Sequence, residues 1–434
     1  MNPNLIRTAA AMAGTAALLV ACGSSSSSST GSASGATAAT TASSSFSSGP
    51  GDLLIAINAP TTANPFEAGV LQRGANLAVS EINAKGGVDV AGVKHKLVVK
   101  TYDDGLDPAR SASNVRQAIA DGAVGIIEDG SGATISAADS AAAGVPEVVV
   151  FTSNVDLTKG QASIFRLGIS NEGAADTLAK YVGSHGSKKP AIVHEDTASA
   201  RDAKDGVIAS LATEQLKPLM TTEIAANAPV NDADLVAIKT AGADGLVVWG
   251  TDTFTARVVK QARADGLTMP IYAGPSGESP LVRQFAGTAA EGMFFVTSRE
   301  TSENDVASFP QFEHRLAAAT GGPIDAGVKD SQGREIRQPA TYETFSYDAV
   351  NVLAAAITKS GAAKGSKDLL AAMTTASVTS ANGDHRGFNP DNHEGLNPDD
   401  VYVAVIKDNV FAPVKDEPLS ASLPVPDEIL ANFH

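Results

Sequence analysis

Residues 124–151 read VGIIEDGSGATISAADSAAAGVPEVVVF. Val124 to Ile127 is a short apolar run, the length of a buried strand. Acids, glycines and a serine interrupt it. Thr134 to Ala143 is then rich in small helix-forming residues. Gly144 and Pro146 stop that helix, and Glu147 to Phe151 is a second apolar run. A strand, a helix and a strand in this order form a βαβ unit, whose two strands lie parallel.

The same alternation extends in both directions. Upstream, Leu53 to Ile57 reads as a strand, and Asn64-Pro65-Phe66-Glu67 opens a helix. Asn64 suits the N-cap, Pro65 the first turn, and Glu67 completes a capping box. Val70, Leu77, Ala78 and Ile82 share one face, and Gly86-Gly87 ends the helix. Leu97 to Thr101 is the next strand. Asp107-Pro108 starts another helix, with Val115, Ala118 and Ile119 on its buried side. Downstream the pattern restarts, with Asn171 capping a helix to about Ser184 and Pro190 to His194 as a strand. Strands at Gly245 to Trp249, Pro270 to Ala273 and Met293 to Thr297 follow, with a helix at Phe254 to Ala264. Two long helices lie near Val306 to Ala319 and Thr341 to Lys359. Val401 to Ile406 and Val410 to Ala412 form a hairpin turned at Asp408-Asn409. Gly321 to Pro339 and Ala381 to Asp400 are loops without a motif. The fold class is α/β. Two such series predict two doubly wound, parallel-sheet lobes, with a ligand beyond the carboxyl ends of the strands.

The N-terminus is a targeting segment. Arg7 precedes an apolar stretch, Ala9 to Val20, too short to span a bilayer. It ends in Leu19-Val20-Ala21-Cys22, which resembles the bacterial lipobox, with Cys22 as the lipidated residue. Cys22 is the only cysteine, so no internal disulfide and no cysteine-built metal site is available. Gly23 to Gly51 is Ser, Thr, Gly and Ala, including six consecutive serines from Ser24, and reads as a flexible tether. The expected division is a signal peptide at 1–21 and a tether at 22–51. About 380 residues remain, enough for two domains. The chain is expected outside the cytoplasm, held to the bacterial cell membrane by lipid only.

The net charge of −16 excludes a nucleic-acid partner, which needs a basic surface. Enzyme motifs fail in detail. Gly274 to Glu278, GPSGE, has Glu278 where a nucleophile elbow needs glycine. GSGATI has Ile135 where a dinucleotide fingerprint needs glycine, no phosphate-binding G-x-x-x-x-G-K-[ST] loop occurs, and the seven histidines lack zinc-ligand spacing. No catalysis, metal or cofactor is expected.

Several longer stretches carry a family resemblance. GANLAVSEINAKGGVDVAGVKHKLVVKTYDDGLDPARS (Gly74 to Ser111) resembles the opening lobe of the branched-chain amino acid binding protein family, of the type I periplasmic binding fold. VVKQARADGLTMPIYAGPSGESPLVRQFAGTAAEGMFF (Val258 to Phe295) resembles its second lobe. TYETFSYDAVNVLAAAI (Thr341 to Ile357) resembles its late helix, and GFNPDNHEGLNPDDVYVAVIKDNVF its closing hairpin. The resemblance implies discontinuous lobes joined by a three-segment hinge: 52–167 plus 299–391, and 168–298 plus 392–434. It implies an extracytoplasmic solute-binding protein of an ABC importer. Such a protein works as a monomer that closes on a small polar ligand, a carboxylate such as a branched-chain amino acid or a related compound, and delivers it to a permease. A ligand-binding sensory receptor domain would use the same fold, and an α/β enzyme is the remaining alternative.

The site residues follow from local chemistry and from that resemblance. Glu128 to Thr134, EDGSGAT, leaves a strand and opens a helix, where backbone N–H groups favour an anion. Ser131 and Thr134 add hydroxyls, and Gly132 permits close approach. The resemblance makes this loop the grip on a ligand carboxylate, with contacts from Phe151 and Ser153 after the next strand. In the second lobe the family's tyrosines are replaced: Ser199 stands in one region and Thr251 with Asp252 in the other. Ser276 follows Gly274-Pro275 where amino-acid binders place an acid, and the acid comes later, at Glu278. Trp249, the only tryptophan, is expected to end its strand beside the cleft.

Overall fold

The computed structural model describes residues 51–226, 228–299, 308–325, 327–396 and 400–414. The predicted lipidation site Cys22, the tether up to Pro50 and the end of the chain lie outside the described residues.

The first sheet starts with β1 (Leu53–Ala59). A ribbon, β2 (Val88–Val90) with β3 (Val93–His95), leads into β4 (Leu97–Asp103). Then come β5 (Ala123–Glu128), β6 (Glu147–Val149) and β7 (Ile164–Arg166). The five longer-range strands pair in the order β4-β1-β5-β6-β7, all parallel. The βαβ unit read from residues 124–151 is present, with its helix at Ala133–Ala143. Every residue of β1 is buried, because helices cover both faces of the sheet.

The second sheet uses β8 (Pro190–Glu195), β9 (Met220–Ile224), β10 (Gly245–Trp249), β11 (Ile271–Ala273) and β12 (Phe294–Ser298). A small ribbon, β13 (Ser377–Thr379) with β14 (His385–Gly387), precedes the hairpin of β15 (Val401–Lys407) and β16 (Val410–Pro413). The seven-stranded order is β16-β15-β12-β11-β10-β8-β9. Its first two strands are antiparallel, so this sheet is mixed where a parallel one was expected. The hairpin turns at Asp408 and Asn409, both with positive φ (54° and 64°), the two-residue turn that matches strand twist.

Helix Pro65–Ala84 lies against helix Thr341–Ser360. A Cβ on Gly74 would stand 2.2 Å from the Glu343 carbonyl, so only glycine permits this approach. Ser346 Oγ donates to the Val70 carbonyl (3.0 Å), and Arg73 pairs with Glu343 (2.6 Å). Two local readings change. Ser170, not Asn171, caps helix Asn171–Ser184 by accepting from Gly173 N–H. The Asn171 amide instead donates to Ser199 and Asp202. At the first helix, Asn64 does accept from Glu67 N–H (3.3 Å), but Asn64 N–H already donates to Pro60 O. The capping box therefore does not close, and the Glu67 carboxyl turns elsewhere.

Candidate functional site

The loop after β5 shows what its glycines do. Gly130 has φ of 96°, and a Cβ there would meet Val149 and Thr152 at 2.5–2.6 Å. Gly132 lets the following helix press on helix Pro108–Ala120: an added Cβ would lie 2.7 Å from Pro108 O. Ser131 is half-buried and Thr134 exposed. The Ser131 N–H, one of the donors expected to hold a ligand anion, donates to Asp129 Oδ1 (2.9 Å). The Ser131 hydroxyl is buried and close enough to favour the Asp129 anion, but it makes no hydrogen bond of good geometry. Asp129 is 3% exposed, and burial pushes its pKa up to about 6 against the hydrogen bonds from Ser131 and Gly130.

Asp129 also ties this loop to the next one, since its carbonyl accepts from Thr152 N–H (2.8 Å). Phe151 is half-buried and its ring stands 5.2 Å from that of Tyr342. Ser153 is half-buried, and its carbonyl accepts from Asn171 N–H (2.7 Å). Beneath these residues lies Arg166, 1% exposed at the end of β7. It donates to Glu394 through Nε and Nη2 (2.7 Å each) and to the carbonyls of Thr152 and Asn154. Charge-assisted, two-pronged pairing fixes orientation as well as distance. Arg166 thus holds loop 151–154 to the segment that leads into β15. Behind the loop, Glu128 and Glu147 are both buried. Burial first, then the neighbouring carboxyl, hold Glu128 well above the usual carboxylate range.

On the other side, Thr251 donates to Glu195 through both N–H (2.8 Å) and Oγ1 (3.1 Å), and caps helix Asp252–Ala264. Asp252 accepts from Ser279 Oγ (3.0 Å) and Thr253 N–H (2.7 Å), and burial raises its pKa. Ser276 Oγ meets Thr255 Oγ1 at 3.0 Å. Glu278 has no exposed surface, accepts from Thr297 Oγ1 (2.7 Å) and has the Arg283 guanidinium nearby. The Ser199 carbonyl accepts from the Asn171 amide (3.0 Å). Trp249 is 5% exposed in the core facing helix Asn171–Ser184, with its indole against Gly274, where an added Cβ would meet it at 2.8 Å.

Tyr342 joins the two sides. Its hydroxyl donates to Pro275 O (3.1 Å), and its ring packs on Phe151 and Phe345. Burial pushes its phenol up, and Glu278, Glu67 and Asp252 push in the same direction. Glu67 faces the same space: burial raises it to about 8, with further contributions from Asp129, Asp252 and Asp104. The structure therefore brings Phe151, Asp252 and Glu278 around Tyr342, with Ser276 next to the Pro275 whose carbonyl accepts the Tyr342 hydroxyl, while Thr134 is exposed. Sequence reasoning missed Glu67, Asp104, Asp129, Tyr342, Arg166 and Glu394. Asp104 and Asp129 did carry a signal, since each follows directly on a strand's carboxyl end.

A cavity of about 970 Å³ opens elsewhere, lined in part by Arg166, Glu394, Asp176 and Leu370, and holds none of the predicted site residues. Among the described residues no three His, Cys, Asp or Glu side chains are placed to hold a metal ion, and no helix is long and apolar enough to cross a membrane.

Comparison with known proteins agrees with this architecture. A family model described as periplasmic binding protein matches residues 61–410. The chain is 25% identical to the Leu/Ile/Val-binding protein homolog 3 of Brucella melitensis, over 59% of this chain and 70% of that one. It is 27% identical to the leucine-specific-binding protein of Salmonella typhimurium, over 71% and 79%. Among solved structures, the branched-chain amino acid transporter substrate binding protein LivJ of Streptococcus pneumoniae, in complex with isoleucine, superposes with a TM-score of 0.70 at 21% identity. That match covers 83% of this chain and 97% of LivJ.

Proposed function

The chain belongs to the periplasmic binding protein family, and on that premise we propose that it is the extracytoplasmic solute-binding component of an ABC importer. It captures a small polar solute, such as a branched-chain amino acid or a related compound, in the cleft spanned by Tyr342. The lobes are 52–167 with 299–391 and 168–298 with 392–434. The lipid on Cys22 and the serine-rich tether hold the protein at the membrane, where a permease receives the solute.

The observation that carries this reading is Tyr342. Its helix packs against Pro65–Ala84 beside the first sheet, yet its hydroxyl bonds to Pro275 O beyond the carboxyl end of β11 in the second sheet. Strand ends of two doubly wound sheets facing one buried phenol form a site that two bodies complete together. Closure of two bodies on a solute needs differential affinity for the closed arrangement, which groups from both sides supply.

The test uses the full-chain protein. A thermal-shift screen of the common amino acids and small amines is expected to find at least one that raises Tm with a saturable dose response. Turnover of that compound, or no stabilisation by any of them, overturns the reading. Cys22→Ala is expected to release the protein from the membrane fraction without changing its affinity. A native protein recovered without lipid removes the anchor from the account.

A further inference from the structure

The solute cleft gathers more carboxyl groups than the capture of a zwitterion requires. Asp104 follows β4 and Asp129 follows β5. Asn58 of β1 is level with Tyr102 on one side and Glu128 on the other. Asp104 and Asp129 therefore flank the end of β1, two strand spacings or about 10 Å apart. Glu67 enters from the first turn of Pro65–Ala84, and Asp252 from the other sheet. The charges that act on Glu67 are all carboxylates: Asp129, Asp252 and Asp104. Of the nearby guanidinium groups, Arg110 pairs with Asp103 and also favours the Asp104 anion, and Arg73 pairs with Glu343.

An independent observation points to a missing donor. Asp104 has no exposed surface, and its Oδ2 has no hydrogen-bond partner among the described residues, while Oδ1 accepts from Leu106 N–H. A buried carboxylate oxygen left unpaired is costly, and a ligand N–H group would remove that cost. The Ser131 N–H is meanwhile occupied by Asp129, so the loop offers an anion where an anion grip was expected. The carboxylates do not converge as metal ligands do. Their spacing fits an organic cation with several separated N–H donors.

We propose that the cleft selects an organic cation, a diamine or guanidino compound, whose nitrogen donors reach Asp104 and Asp129 while Glu67 and Asp252 balance its charge. The proposal rests on the solute-binding reading and narrows it. A ligand carboxylate is not required, and a free carboxylate is repelled by Asp129.

The test is titration calorimetry on the full-chain protein at pH 7 with 1,4-diaminobutane, agmatine and L-leucinamide, set against L-leucine and isovalerate. At least one of the three amines is expected to bind at least about tenfold more tightly than L-leucine, as the loss of one charge-assisted bond implies. Asp129→Asn keeps an acceptor for Ser131 N–H, and Glu67→Gln keeps the side-chain shape. Each is expected to weaken amine binding about tenfold or more, while circular dichroism stays unchanged. Amine binding is also expected to release protons, read from the dependence of heat on buffer ionisation enthalpy, because a bound cation favours ionised Glu67. Tighter binding of L-leucine or isovalerate than of every amine overturns the cation assignment and leaves the solute-binding reading standing. Binding by none of the five up to about 10 mM also overturns it, and the amino acid screen then decides the broader reading alone. Amine binding unaffected by both substitutions places the cation elsewhere and equally refutes the proposal.

Discussion

Replacing Glu67 by Gln removes a carboxyl group that the fold ionises only at a cost. In the unfolded chain this group loses its proton near 4.5, and in the folded protein near 8. A folded-state pKa raised above the unfolded value means the penalty is absent below 4.5, grows as pH rises, and is complete above 8. Taken at full burial, the penalty is about 1 kcal/mol at pH 5, about 3 at pH 7 and about 5 at pH 9. Part of the side chain is accessible, so solvent screening reduces these values to roughly a third to a half. Gln does not titrate, and its backbone N–H keeps the bond to Asn64. Glu67→Gln should therefore melt only slightly above the parent at pH 5. At pH 9 it should melt about 3–5 °C above it, for a chain whose size makes each kcal/mol worth about 2 °C. The assay is paired thermal melts of full-chain parent and variant at pH 5, 7 and 9. A difference in Tm that does not widen with pH, or a variant less stable than the parent at pH 9, refutes the placement of Glu67 among Asp129, Asp252 and Asp104. Stability gained by removing a charged group from a cleft, with binding lost, is the trade expected where a site is held ready for its ligand.

Arg166→Met removes the ion-pair partner of Glu394, which keeps the Thr158 hydroxyl, and the arginine donor to the carbonyls of Thr152 and Asn154; breaking a buried pair this way typically costs about 3–5 kcal/mol, read as a fall in the urea midpoint, whereas a loss below about 1 kcal/mol would show that Arg166 does not hold loop 151–154 in place. Tyr342→Phe removes one neutral hydrogen bond to Pro275 O, worth about 0.5–1.5 kcal/mol, so solute affinity should fall about two- to tenfold with little change in melting temperature; an unchanged Kd by calorimetry would separate Tyr342 from closure. Trp249 emission should shift when solute binds, because the indole packs on Gly274 just before the Pro275 carbonyl that Tyr342 holds; a flat trace alongside saturable heat would show that loop to be unmoved.

Period and punctuation in the chain determined the class of fold. The apolar run Val124 to Ile127, the small-residue helix and the run from Glu147 predict parallel neighbours, and β5 and β6 are paired in that way. Asp408-Asn409 between two apolar runs predicts the hairpin of β15 and β16. These are local matters: strand periodicity, turn chemistry and caps are set within a few residues and can be read there. Ser131 was named because a loop between a strand's carboxyl end and a helix start is itself a local feature, whereas Phe151, Asp252, Ser276 and Glu278 came from the family resemblance.

The electrostatic character of the cleft is a different kind of property. Glu67 occupies the third helical position after Asn64, where a capping box is the local reading, and only Pro60 taking the Asn64 N–H leaves the carboxyl free to turn inward. Asp104, Asp129 and Asp252 are spread over nearly 150 positions and lie beside Glu67 only because β4, β1 and β5 are neighbours and Tyr342 reaches the second sheet. Arg166 and Glu394 are likewise 228 residues apart, and neither carries a local sign of its partner. Charge interactions depend on distance and burial in space, not on separation along the chain. The sequence by itself therefore determined the elements, their order and the sites where strands end, while tertiary packing decided which carboxyl groups share one buried space and which charge that space will accept.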